Sequence, residues 1–322
     1  MRLDNPITAT LAAVVDQLRG RRAPLGPDER LDGRCFLVTG ATSGLGRATA
    51  AALAGRGARL LLPCRSAIAS SAGVETLPVD LADLRSVVAL CDGLRDRGAR
   101  VDGAVLCAGV VPRRSRRTGD GFELMFQVNY LAHVLLTMRL LRDGVIPNRA
   151  FAGNGGGAPR PRLVVVSSES HRNAAAIDPR TLGDPVDYGM LDGMAQYART
   201  KLLLCTFACE LARRLDGEVA VHALCPGAVD SNLAREAPAW VKPVLRPVMK
   251  LFFASPERAA RPVAHLAASS ALEGRTGIYM HMARETLSAE PARDPEAGRR
   301  LFDASVELLA RAGVLTPPAN DP

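Results

Sequence analysis

The sequence predicts an α/β fold, a single doubly wound parallel sheet of about seven strands with helices on both faces. Short, near-continuously apolar runs recur along the chain, as strands buried on both faces require. Between them lie segments whose apolar residues return every three to four positions, the helical period. Gly and Pro punctuate the junctions, and no internal repeat is visible. The elements follow in order. RCFLVTG (34–40) is a first strand and SGLGRATAAALAGRG (43–57) a helix closed by Gly. ARLLLPC (58–64), VETLPVD (74–80) and VDGAVLCAG (101–109) are the next strands, with the helix LADLRSVVALCDGLRDRG (81–98) before the last of them. A long helix over 121–143, the strand PRLVVVSS (161–168), a second long helix over 196–215, and the strands EVAVHALCPG (218–227) and TGIYM (276–280) complete the rhythm.

Composition narrows the function. Of 322 residues, 48% are apolar and 23% charged, which excludes wholesale disorder and a small disulfide-stapled scaffold. The formal charge is +8, yet only Lys201, Lys242 and Lys250 are lysines, an arginine bias that reads as composition drift. With 4% aromatics, stacking platforms for bases are scarce, so no nucleic-acid partner is expected. No run approaches 18 apolar residues, and a membrane-spanning helix is not expected either. The seven cysteines include no C-x-x-C pair and sit mostly in apolar runs, which points to a reducing, cytoplasmic setting. Residues 1–30 read as an extension with a short amphipathic helix rather than a signal peptide. Residues 31–290 read as a single α/β domain that includes the segment 231–252, and 291–322 as a C-terminal helix and tail.

The first strand runs into TGATSGLG (39–46), which places Gly40, Gly44 and Gly46 between a strand and a helix. Glycines there allow a tight turn and let the backbone approach a pyrophosphate at the helix N-terminus. Thr42, Ser43, Leu45 and Arg47 belong to the same loop. The second strand ends at Arg65 without the acid that would bind a ribose 2′-hydroxyl. Arg47 and Arg65 suit a 2′-phosphate, so NADP(H) is expected over NAD(H). Asp80 is a candidate for the adenine amino group, with helix capping as its alternative, and Leu81 follows it.

Tyr197 and Lys201, four apart, project from one face of a helix. A tyrosine phenol can protonate the alkoxide left by hydride transfer to a carbonyl. Its ordinary pKa is about 10. A cation about 4 Å away, at an effective dielectric of about 20, supplies the roughly 4 kcal/mol needed to bring it near neutrality. The TGxxxGxG loop, the Asn of QVNYLAH, the serines of VVVSSESH and this Tyr-x-x-x-Lys together resemble the short-chain dehydrogenases/reductases over roughly residues 31–315. The nearest likeness is to the retinol-dehydrogenase-like and protochlorophyllide-reductase-like branch.

The resemblance implies a Rossmann-type domain and a catalytic set of Asn129, Ser168, Tyr197 and Lys201, with Ser167 the alternative to Ser168. It further implies cofactor contacts from Cys107, Ala108, Gly109, Pro226, Gly227, Val229 and Ser231, and a covering segment over 231–252. That segment is apolar and Pro-punctuated, so a small apolar substrate is expected. His171 either lines the substrate mouth or makes a loop contact. His133, His222 and His265 read as packing residues.

The chain departs from the pattern at Leu106-Cys107-Ala108-Gly109, where relatives commonly carry Asn-Asn-Ala-Gly. The missing Asn removes a sheet bond worth about 1 kcal/mol. Only eight residues separate Arg65 from the third strand, so one face of the second strand is expected to be exposed. RRSRR (113–117) with 231–252 offers peripheral membrane contact as an alternative to a solvated loop. The resemblance makes the two long helices a homodimer surface. Reduction of a C=C bond and a non-catalytic NADP-binding scaffold are the competing functions.

Overall fold

The computed structural model describes residues 29–66, 72–155, 159–189, 192–229 and 254–316. Eight strands form one sheet: β1 (Cys35–Val38), β2 (Arg59–Cys64), β3 (Val74–Pro78), β4 (Gly103–Leu106), β5 (Arg162–Val166), β6 (Ala220–Cys225), β7 (Tyr279–His281) and β8 (Arg284–Thr286). Their order is β3-β2-β1-β4-β5-β6-β7-β8. Every pairing is parallel except β7 with β8. The order reverses between β1 and β4, and the carboxyl ends of these strands open the crevice where such sheets take ligands.

Among the described residues, six helices of more than ten residues flank the sheet: α1 (Gly44–Ala54), α2 (Leu84–Asp96), α3 (Leu124–Arg142), α4 (Gly193–Arg214), α5 (Pro256–Ala268) and α6 (Pro295–Arg311). Local residues start several of them. Asp83 accepts from the N–H of Arg85 and Ser86, Ser255 from Arg258, and Asp294 from Glu296, with Pro256 and Pro295 at first helical positions. Two apolar cores result. One, between the sheet and α2, α3, α4 and α6, contains Leu37, Leu61, Leu106, Leu135 and Phe207. The other, under α1 and α5, contains Phe36, Leu53, Leu60, Leu62 and Val263.

Helix α3 is long and apolar enough to cross a membrane, but 89% of its apolar window is buried inside the fold, as in a core helix. Helix α6 lies over α3 and α4. The Phe302 ring stacks on Phe207 at 6.0 Å, the Arg214 guanidinium sits 3.8 Å over Phe302, and Tyr130 bonds Ser305 at 2.6 Å.

Two expectations are corrected. The sheet has eight strands rather than about seven, because β8 consists of three exposed residues, Arg-Glu-Thr, with no apolar pattern to betray it. Strand β2 is buried on both faces from Leu60 to Cys64, since Leu60 and Leu62 pack under α1 while Leu61 joins the opposite core. The exposure falls on edge strand β3, at Glu75 and Pro78. Residues 1–28 of the N-terminal extension, the covering segment 231–252 and Ser231 lie outside the described residues.

Candidate active site

The glycine loop is built by close backbone approach. Gly40 has φ +70°, and a Cβ on it would meet the Ala108 Cα at 2.9 Å. A Cβ on Gly46 would overlap the Gly40 carbonyl. Gly44, φ +52°, turns the chain into α1. Ser43 stands at the N-cap without a side-chain capping bond, and no acid occupies the first turn. The leading N–H groups of α1 thus keep the positive end of the helix for an anion. The Leu45 side chain packs in the core, so it offers only its backbone, while Thr42, Arg47 and Arg65 are exposed around the loop.

Thr39, just before Gly40, holds this floor together. Its hydroxyl accepts from the N–H of Cys107 at 2.9 Å and of Ala108 at 3.1 Å, and it meets His133 Nε2 at 3.2 Å. The loss expected from Cys107 in place of Asn is therefore offset from the neighbouring strand. His133 is more than packing: buried and driven down to about 4 by desolvation, it is the neutral partner of Thr39. Asp80 acts as a turn cap, its Oδ1 accepting from Ala82 N at 2.9 Å, and Leu81 is buried beneath it.

The catalytic candidates converge at the carboxyl ends of β4, β5 and β6. Asn129 is fully buried in a π-helical turn of α3 (Gln127–Leu131), not on a partly exposed face. Such one-turn bulges are frequent at functional sites. Its side chain brackets Val110, accepting from N at 2.7 Å and donating to O at 3.0 Å, and donates to Thr200 Oγ1 at 3.4 Å. Gly109 lies between Asn129 and Lys201: a Cβ there would stand 3.3 Å from Asn129 Oδ1 and 3.9 Å from Lys201 Nζ.

The two serines separate by direction. Ser167 is buried, and its hydroxyl donates to the Lys201 carbonyl at 3.2 Å, a bond that docks α4 on β5. Ser168 is half-buried, its hydroxyl accepts from Ser170 N at 3.3 Å, and it stands beside the Tyr197 phenol, whose pKa it lowers. His171 is the loop contact of the two alternatives. Its Nδ1 donates to the Ser168 carbonyl at 2.6 Å, and its Nε2 accepts from Ala289 N at 2.9 Å, so a neutral ring anchors the Ser168 turn.

Burial pushes Tyr197 up to about 12, partly offset by Ser168, and drives Lys201 down to about 8. The expectation that Lys201 depresses Tyr197 is not met. The ammonium lies 5.7 Å from the Tyr197 ring centroid and donates to the Val166 carbonyl at 2.9 Å, so desolvation decides both groups. Pro226 and Gly227 follow β6. Gly227 has φ +81°, and a Cβ on it would meet Met282 Cγ at 2.9 Å. Val229 and Ala254, the residues flanking the covering segment, are bridged in parallel, with Ala254 N donating to Ala228 O at 2.9 Å.

The sequence left Glu123 unnoticed. It is 2% exposed, caps α3 through Met125 N and Phe126 N, and accepts from Tyr188 Oη at 2.8 Å and Gln196 Nε2 at 2.9 Å. It thereby ties the start of α3 to the residue beside Tyr197. An acid just before an apolar helix was the only signal available.

A tight loop that a Cβ would fill, an uncapped helix start and the Ser168–Tyr197–Lys201 group fit a dinucleotide and a reactive carbonyl or alcohol. The comparisons agree. The sequence pattern of the short chain dehydrogenases matches residues 34–170. Human retinol dehydrogenase 14 is 35% identical, over 90% of this chain and 91% of that protein. Mouse polyprenol dehydrogenase is 35% identical, over 95% and 92%. Among solved structures, an uncharacterized protein from Mycobacterium paratuberculosis superposes with a TM-score of 0.65 at 24% identity, covering 90% of this chain and 97% of that one. The Pseudomonas aeruginosa RhlG/NADP complex superposes at 0.59 with 21% identity, over 83% and 100%; these two likenesses concern the fold. The chain belongs to the short-chain dehydrogenase/reductase family, in its retinol-dehydrogenase-like branch, and is an oxidoreductase of alcohol and carbonyl groups that works with a nicotinamide cofactor.

Proposed function

We propose that the protein is an NADP(H)-dependent oxidoreductase interconverting a carbonyl and an alcohol on an apolar substrate, with Tyr197 as the general acid and base. The observation that carries this reading is the Ser168–Tyr197 pair with Lys201 one helical turn on. The bound cofactor supplies or accepts the hydride. Gly40, Gly44 and Gly46 would hold its pyrophosphate against the start of α1, and Arg47 and Arg65 would take the 2′-phosphate that favours NADP(H). Ser168 would hold and polarise the substrate oxygen beside the phenol. Tyr197, held high by burial, remains a protonated phenol through neutral pH and is therefore ready to protonate an alkoxide. Lys201, one helical turn on and held by the Val166 carbonyl, would hold the nicotinamide ribose beside the phenol.

Support for an apolar substrate comes from the apolar composition of 231–252 and from the names of the retinol and polyprenol dehydrogenases at about 35% identity. All seven cysteines are free, in keeping with a cytoplasmic setting. Members of this family commonly form oligomers, and a homodimer is part of the proposal. Because α6 of the same chain covers α3 and α4, that dimer would use another surface. Peripheral membrane contact through 113–117 and 231–252 belongs to the same reading.

The test is NADPH consumption by the purified protein across apolar aldehydes and ketones, with NADH and Tyr197→Phe alongside. Turnover with NADPH that the substitution abolishes is the expected result. Cofactor binding without turnover of any carbonyl overturns the carbonyl assignment in favour of C=C reduction or a scaffold.

A further inference from the structure

Beside the Ser168–Tyr197 pair lies a second cluster that hydride transfer does not use. Glu169 follows Ser168, Cys225 closes β6 immediately before Pro226-Gly227, and His281 ends β7. One carboxylate oxygen, the thiol sulfur and one imidazole nitrogen from these three residues all lie within 4.8 Å of one another. A point between three atoms so placed is no more than about 2.8 Å from each. Shifts of about 0.5–0.8 Å reach the 2.0–2.3 Å bonds of zinc to O, N and S.

Two further features mark the cluster. His281 Nδ1 is buried and pairs with Glu169 Oε1 at 3.2 Å, so a cation bound here would take the place of the proton between them. The Cys225 sulfur accepts from Gly227 N at 3.4 Å, so it faces the turn that follows β6. We propose that Glu169, Cys225 and His281 form a binding site for a thiophilic divalent cation, with zinc the best match to this mixed donor set.

The surroundings suit such a site. Tyr279 Oη donates to Glu169 Oε1 at 2.7 Å and Arg172 Nε to Oε2 at 2.6 Å, the kind of outer bonds that orient a ligand carboxylate. The fourth position is left to water or an exogenous ligand, as in three-ligand zinc sites. On binding, sulfur–metal and nitrogen–metal bonds replace S–H and N–H bonds, and the displaced protons go to solvent. The ion would brace three segments that border the reacting groups: the Ser168 turn, the Pro226-Gly227 turn and the end of β7. Zinc is accordingly expected to inhibit turnover, but the site itself stands apart from that activity.

The experiment is calorimetric zinc titration of the full chain under reducing conditions, with Co2+ as a spectroscopic probe. One equivalent should bind, protons should be released, and cobalt should give the near-ultraviolet band of a thiolate ligand. Cys225→Ser should weaken zinc on the order of 100-fold and erase the band, and His281→Gln should weaken it at least about tenfold. Cys209→Ser is the control, because Cys205 and Cys209, with Ser288 beside Cys209, form the other soft cluster among the described residues. Thermal unfolding without metal checks that each variant folds. Should Cys225→Ser not fold, the half-buried Glu169→Gln and His281→Gln carry the test. Absence of stoichiometric binding at micromolar zinc overturns the proposal, as does binding that survives Cys225→Ser or is lost in Cys209→Ser.

Discussion

The β1–α1 end and the β5–β7 end of the same crevice are built by different means. At the first, function rests on backbone: Gly40, Gly44 and Gly46 shape a loop from eight consecutive residues, and their missing Cβ atoms are the feature that matters. At the second it rests on side chains drawn from far apart. Ser168, Tyr197 and Lys201 meet across β5 and α4, while Glu169, Cys225 and His281 meet across β5, β6 and β7. A backbone site tolerates change everywhere except where a side chain would intrude. A side-chain site loses its chemistry when one group is altered, yet leaves its neighbour's work intact.

The largest effect expected is on chemistry alone. Tyr197→Phe should lower kcat by about 10²–10⁴ while leaving NADPH affinity within about twofold; a matching loss of affinity would merge the two regions. Glu123→Ala should cost about 3 kcal/mol or more in urea unfolding, because Tyr188, Gln196 and two N–H groups lose their acceptor. An unchanged midpoint would show that water replaces the carboxylate.

Acid should also destabilise the fold. His133 and His222 are held neutral at about 4 and about 3, below the 6.5 of the unfolded chain. Their stabilising contribution is complete above about pH 6.5, and each loses up to about 1.4 kcal/mol per pH unit as pH falls from there. His281, held up at about 10, contributes in the opposite sense: its share is complete below pH 6.5 and is lost as pH rises toward 10. Urea midpoints from pH 5 to 9 should therefore peak near neutrality, and a flat profile would remove the argument.

Gly46→Ala should weaken NADPH binding and cost about 1–3 kcal/mol of stability, since its Cβ overlaps the Gly40 carbonyl. Its kcat at saturating cofactor should change far less than that of Tyr197→Phe. Smallest of all, Arg65→Ala should shift the NADPH-to-NADH preference by about tenfold in kcat/KM, close to 1.4 kcal/mol. No shift would leave the phosphate to Arg47 or to neither.

Elements with a local cause could be read from the residues. The alternation of apolar runs with three-to-four periodicity marks every strand but β8 and helices α1 to α4. The loop glycines announce themselves by spacing, as do Tyr197 and Lys201, because each set lies within one element and obeys its period. Only the tertiary structure decided what depends on approach between distant segments. It turned Ser168 toward Tyr197 and Ser167 toward the α4 backbone, and it made Thr39 and His133 the substitute for an absent Asn. It placed the Lys201 ammonium on the Val166 carbonyl, and it brought ligand atoms of Glu169, Cys225 and His281 within 4.8 Å of one another. The physical reason is range: periodicity and turn chemistry act over a few residues, whereas desolvation and side-chain convergence exist only once the sheet has brought β5, β6 and β7 side by side.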